Sequence, residues 1–161
     1  MKKPHWAILR TGELAAAVAL AGAIITVSHV VAERQKLSTP AEAWLQVNEI
    51  FVPDHHEDQD FAVVYDANTR ERFDFFRITE VQQKSEQGIW VTACSGSTIG
   101  SSEPGAVLVN NTVTWGWLVG QSCAMPAGAY RLRVTYSLSK PGWPIKRVFV
   151  LSNVFNVRGR E

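Results

Sequence analysis

Residues Leu14 to Ala32 form an apolar run of nineteen positions without a formal charge. At about 1.5 Å of helix rise per residue the run reaches about 28 Å, close to the hydrocarbon thickness of a bilayer. A helix satisfies its own backbone hydrogen bonds, so it can cross lipid where a loop could not. The sequence therefore predicts four parts: a cytoplasmic segment 1–13, a transmembrane signal-anchor helix 14–32, a polar tether 33–42 and an exported domain 43–161.

Lys2, Lys3 and Arg10 precede the run, while Arg34 and Lys36 follow it. That bias favours a cytoplasmic N-terminus and an exported C-terminus. Val30-Val31-Ala32 would also suit a signal peptidase, but the run exceeds the roughly 7–15 residues of a signal core, which favours an uncleaved anchor. Ala15, Ala19 and Ala23 recur every fourth residue, a spacing that lets two helices approach, so a homo-oligomer held through the span is one reading. His29 is expected at the interface or against a neighbouring helix.

The net charge of +1 hides an uneven distribution. Leu37 to Glu86 holds eleven acidic residues against four basic ones, whereas Gly128 to Arg160 holds seven basic residues and no acid. Two readings stand: complementary strand sets within one fold, or a basic edge seeking an anionic partner.

Alternation of apolar and polar residues governs the exported part. Strands are predicted over 44–52, 61–65, 72–81 and 88–94, followed by a Gly/Ser loop over 95–105. Strands 106–109 and 112–119 flank a tight turn at Asn110-Asn111. Tyr130 to Leu138 alternates without exception, the clearest strand in the chain. Lys140-Pro141-Gly142-Trp143-Pro144 reads as a turn, and a last strand starts at Ile145. Seven or eight short strands with no long amphipathic helix between them predict an all-β, antiparallel sandwich.

Pro126-Ala127-Gly128-Ala129-Tyr130-Arg131-Leu132 resembles the approach to the penultimate strand of immunoglobulin-like domains, where a tyrosine packs at the corner. The resemblance concerns the fold and covers a dozen residues plus the strand count. In antibody-type domains a cysteine follows that tyrosine by two positions, whereas Cys123 precedes Tyr130 by seven, so a disulfide here is placed differently.

Cys94 and Cys123 both lie in the exported part, and in an oxidising compartment the economical reading is one disulfide between them. No Cys-x-x-Cys spacing suggests redox activity. Asp54-His55-His56-Glu57-Asp58-Gln59-Asp60 is the densest set of metal-ligand types. Adjacent histidines on an extended segment point apart, and the calcium-loop pattern is missing, so a solvated acidic loop is expected and no metal. Gly96-Ser97-Thr98-Ile99-Gly100 centres a threonine where a nucleophile elbow needs serine. No catalytic residues and no cofactor are assigned. Asn110-Asn111-Thr112 has the form of a glycosylation acceptor, relevant only in a eukaryote.

Trp90, Trp115 and Trp117 fall inside predicted strands and read as packing residues. Trp143 falls at the tip of the last hairpin, where burial is difficult, with Lys140, Lys146 and Arg147 around it. That set is the candidate binding site, with a tryptophan folded back over its own hairpin as the competing reading. The function expected is a non-enzymatic binding or assembly component of an envelope complex in the bacterial cytoplasmic membrane, single-pass with a periplasmic domain. It would belong to a host apparatus or be supplied by a phage or mobile element. Membrane lipid around 14–32 and a protein of unknown identity are the expected partners, and nucleic acid is not. A carbohydrate- or polyanion-binding module and a metal-dependent hydrolase are the alternatives.

Overall fold

The structure, a computed structural model, describes residues 5–57, 61–119 and 123–159. The chain divides into two compact units between Thr39 and Pro40.

The first unit is helix α1, His5–Ser38. Over Glu13–Ser38 it is long and apolar enough to cross a membrane. The helix does not stop at Ala32: the segment expected as a tether continues it to Ser38. Glu33, Arg34, Gln35 and Lys36 are polar but good helix formers, and Lys36 pairs with Glu33 one turn back at 2.7 Å. Termination comes where the Thr39 N–H and hydroxyl both donate to the Gln35 carbonyl, at 3.0 and 2.8 Å, and Pro40 cannot continue the ladder.

The second unit is mostly β, in two sheets. A 3₁₀ turn at Ala41–Ala43 leads into β1, Leu45–Phe51. Then follow β2 (His55–His56), β3 (Ala62–Thr69), β4 (Phe73–Lys84), β5 (Trp90–Ser102) and β6 (Val107–Thr114). A short helix α2 (Trp115–Val119) precedes β7 (Gly128–Ser139), β8 (Lys146–Leu151) and β9 (Phe155–Arg158). The smaller sheet has the order β1-β3-β6, and the larger β2-β9-β7-β4-β5, with β8 also paired to β7. All pairings are antiparallel except β2 with β9.

Both sheets contribute to one core. Ile50, Val63 and Tyr65 of the smaller sheet and Val81, Leu132, Val134 and Phe155 of the larger are buried in it. The Tyr65 and Tyr136 hydroxyls meet across the sheets at 2.5 Å. The strict alternation on β7 behaves as read: Tyr130, Leu132, Val134, Tyr136 and Leu138 are all buried.

Three local readings are corrected. Ser95 to Ser102 is not a loop but the second half of β5, paired with β4 from Phe73↔Ser102 to Glu80↔Ser95. Gly100 there lies against the Phe75 ring, whose Cζ stands 2.7 Å from where a Cβ would be, so its small size reflects a close neighbour rather than a turn. Asn110-Asn111 is not a turn but the middle of β6, with Asn111 opposite Tyr65. Beyond Thr114 the chain is helical, because the Thr114 hydroxyl accepts the Trp117 N–H at 3.2 Å as an N-cap. Trp115 and Trp117 therefore lie on α2, not inside a strand.

The last strand is interrupted at Ser152–Val154. There Asn153 behaves like a strand residue for the other sheet, its Oδ1 accepting the Val52 N–H at 2.7 Å and its Nδ2 donating to the Val52 carbonyl at 2.8 Å. Beside it Asp54 accepts the Asn156 N–H at 2.7 Å, which holds the Asp54 carboxyl below its ordinary pKa.

Candidate functional site

Lys140-Pro141-Gly142-Trp143 makes the β7–β8 turn. Proline at the second position, a glycine with φ +71° at the third and Trp143 N–H donating to the Lys140 carbonyl at 3.1 Å define a type II turn. This turn directs Trp143 back onto the domain, edge-on to the fully buried Trp44 at 5.4 Å between ring centroids. The Lys140 ammonium lies 4.2 Å above the Trp44 ring and pairs with Glu71. Trp143 is half-buried, against Trp44 rather than over its own hairpin, and Lys140 is committed within the chain. Lys146 is half-exposed and Arg147 exposed on β8.

Part of the basic surplus of the C-terminal strands is matched within the fold. Arg133 pairs with Glu80 at 3.6 Å, Lys140 with Glu71, and Arg131 donates to Gln82 while stacking 4.4 Å over Trp90. The two ion pairs join the acidic and basic halves of the sequence, in line with the first of the two charge readings. Arg147 forms no ion pair among the described residues.

Five large apolar side chains also stand outward on the larger sheet. Register places Ile99 opposite Phe76 and Phe76 opposite Ser137; Ile78 opposite Thr135 and Thr135 opposite Phe149; and Arg133 opposite Leu151. Directly opposed residues share a face, so Ile99, Phe76, Ile78, Phe149 and Leu151 stand on one outer surface. They are exposed by 82, 40, 37, 60 and 53%. At about 200 Å² for a whole aromatic side chain and somewhat less for an aliphatic one, that leaves about 500 Å² of apolar surface, in the upper range of the largest apolar patch on an ordinary monomer, which is often functional. β7, between the two apolar ridges, carries only Ser137 and Thr135 there, a shallow channel.

Residue reading missed this surface, although a signal exists. Phe73-Asp74-Phe75-Phe76-Arg77-Ile78 and Ile145-Lys146-Arg147-Val148-Phe149-Val150-Leu151 carry apolar residues at both parities, the mark of strands covered on both faces.

The remaining polar groups serve the core. Arg77 is 1% exposed. Its guanidinium donates to the Trp117 carbonyl at 2.5 Å and lies 4.2 Å above the Trp117 ring, which fastens α2 to β4. Burial raises the Tyr65 phenol far above the ordinary tyrosine range, with the Tyr136 phenol adding to it, and burial likewise raises Tyr136. Tyr130 is raised by burial and then by Glu57, and its hydroxyl donates to the Pro126 carbonyl at 2.7 Å. Trp115 packs between Phe61 and Phe155.

Cys94 on β5 and Cys123 before β7 form the expected disulfide, with Cα atoms 6.1 Å apart. His55 is buried against Phe61 at 3.7 Å while His56 is exposed, so the two imidazoles diverge as read. Glu57 accepts the Ala127 N–H at 2.7 Å. Among the described residues no three His, Cys, Asp or Glu side chains converge on a point. Asp58, Gln59 and Asp60 of the acidic segment lie outside the described residues. No protein-family model matches the sequence, and no curated protein matches it either.

Proposed function

We propose that this chain is a membrane-anchored, non-enzymatic binding or assembly component of an envelope-associated complex. In this reading residues 14–32 cross the bacterial cytoplasmic membrane with the N-terminus inside, and residues 43–161 form an immunoglobulin-like β-sandwich in the periplasm. The observation that carries it is the exposed apolar outer face of the larger sheet, in a chain whose N-terminal helix is long and apolar enough to span a bilayer. The immunoglobulin-like reading is supported by the orders β1-β3-β6 and β8-β7-β4-β5, and by the Tyr130–Pro126 hydrogen bond at the start of β7. The binding surface moves from the Trp143 tip to this face, with Arg147 at its margin.

The polyanion alternative loses Lys140 and Arg133 to ion pairs and Arg131 to a ring. The carbohydrate alternative loses Trp115 and Trp143 to packing. The test uses the full chain in spheroplasts, with a tag at Glu161 and a photo-cross-linker at Ser97 on the outer face. The tag should be open to external protease. Cross-linked species should form and disappear in Phe149→Asp, while the Cys94–Cys123 bridge still forms as the control for folding. A shielded tag would overturn the topology, and cross-links unchanged in Phe149→Asp would overturn the surface.

A further inference from the structure

Two charged residues border the apolar ridges, and neither is neutralised within the described part of the chain. Asp74 is exposed on β4, opposite Ser101 on one side and Ser139 on the other. Arg147 is exposed on β8, opposite Ser137. They lie two strands and one row apart, about 12 Å from the spacing and rise of a sheet, too far to meet. The other charges of the face, Glu80 and Arg133, already pair with each other.

One unpaired acid and one unpaired base on the same surface suit a particular occupant. Under a two-fold axis, whatever residue i does to residue j of the other copy, j does to i. An axis lying between two such faces that sets Asp74 over Arg147 of the second copy therefore forms two ion pairs at once. Laid out on the strand register, that axis crosses β4 beside Phe76 and Ile78, so those side chains meet near the symmetry centre. The same axis lowers Ile99 into the channel over β7 of the second copy, where Ser137 and Thr135 are short. Ridge enters channel, and the most exposed apolar side chain of the face is the one that does so.

The area is adequate. The apolar ridges supply about 500 Å² per copy, and the serines, Thr135, Asp74 and Arg147 around them bring the face toward the roughly 800 Å² per partner of a stable interface. We propose that a second copy of this chain seats on the outer face of β5-β4-β7-β8, with Asp74 opposite Arg147 and the reverse pair by symmetry. The inference rests on the reading of this face as a binding surface and names its occupant. Confinement to a membrane through α1 would raise the effective concentration of copies without adding a contact.

The test uses full-length chains with two different tags, co-expressed and extracted in mild detergent. Wild-type copies should co-purify. Asp74→Arg paired with itself, and Arg147→Asp paired with itself, set like charges against each other at both positions, and co-purification should fall at least tenfold. Asp74→Arg co-expressed with Arg147→Asp restores opposite charges at both contacts and should recover the wild-type yield, as should the double variant on one chain. Single variants that co-purify like the wild type, including through contacts of α1 alone, would overturn the proposal. So would a mixed pair that performs no better than the separate variants. Should Phe149→Asp abolish a cross-link to a protein of different mass while the charge exchanges change nothing, the face binds another partner. The second copy is then refuted and the binding surface stands. Should Phe149→Asp change no cross-link, both fall.

Discussion

The phenols of Tyr65 and Tyr136 are each 3% exposed and share a hydrogen bond of 2.5 Å between the two sheets, which makes the domain sensitive to alkali in a calculable way. Burial holds both protons well above the ordinary tyrosine pKa of about 10. In the unfolded chain both groups ionise near pH 10, whereas in the folded one they stay neutral. The unfolded state therefore binds fewer protons above pH 10, and stability falls as pH rises. Well below pH 10 the contribution is fully present; well above it each tyrosine costs about 1.4 kcal/mol per pH unit, and the pair about 2.7. Integrated to pH 11 the loss is about 2.8 kcal/mol, a large share of an ordinary domain stability of about 5–15 kcal/mol. Tyr130, also raised, acts in the same direction, so the two-tyrosine figure is a minimum. The assay is denaturant unfolding of the full chain in detergent at pH 8, 10 and 11, followed by tryptophan fluorescence, with phenolate absorbance recorded alongside. The sequence contains three tyrosines, and the phenolate of the two deeply buried ones, Tyr65 and Tyr136, should appear only together with unfolding. Tyr65→Phe should reduce the slope by about 1.4 kcal/mol per pH unit. Phenolate of Tyr65 or Tyr136 appearing near pH 10 while the fold persists, or a stability flat from pH 8 to 11, would refute the buried pair.

Two further perturbations separate packing from binding. Replacing Cys94 and Cys123 by serine opens a loop with a separation of 29 residues and should lower stability by about 3–4 kcal/mol in denaturant titrations; no change would mean the bridge constrains nothing. Trp143→Ala removes the edge-on partner of Trp44 and should cost about 2 kcal/mol, while the Ser97 cross-links persist. Loss of those cross-links with stability unchanged would return the binding role to the hairpin tip.

Where one periodicity governs a stretch, the sequence reads correctly. The apolar run of α1 and the strict alternation of β7 each admit one local solution, and both appear. Errors fall where a residue type has two physical uses. Ser95 to Ser102 looks like a loop because glycine and serine favour turns, yet small residues also fit a strand packed closely against Phe75. Asn110-Asn111 tolerates the backbone of a turn but does not require it, and pairing with β3 decides. Thr114 has strand propensity, yet its hydroxyl serves better as a helix cap. Glu33 to Lys36 is polar, which suggested a tether, although polarity opposes burial and not helix. Trp143 illustrates the same point at the candidate site. Its exposure depended on Gly142 turning the chain and on Trp44 waiting ninety-nine positions earlier, a partner that no local window contains.

The outer face was overlooked for a related reason. An apolar residue on a strand is ordinarily assigned to the core, and on β4 and β8 the core can hold only one parity. Phe73, Phe75, Arg77 and Thr79 take the inward positions of β4, so Phe76 and Ile78 cannot follow them inside. Leaving them exposed carries an aggregation hazard that Ser, Thr or Lys would remove without disturbing the core. The intervening strand demonstrates that such a choice is available, because β7 bears Ser137, Thr135 and Arg133 at its outward positions. The contrast also gives the surface its shape, since short side chains between apolar ridges make a channel rather than a uniform patch. Both ridges stand on paired strands, with the disulfide at β5 and the Trp44–Trp143 contact beside the β7–β8 turn fixing the surroundings. A partner seating there would pay little for ordering the backbone, and more of the buried apolar area would appear as affinity.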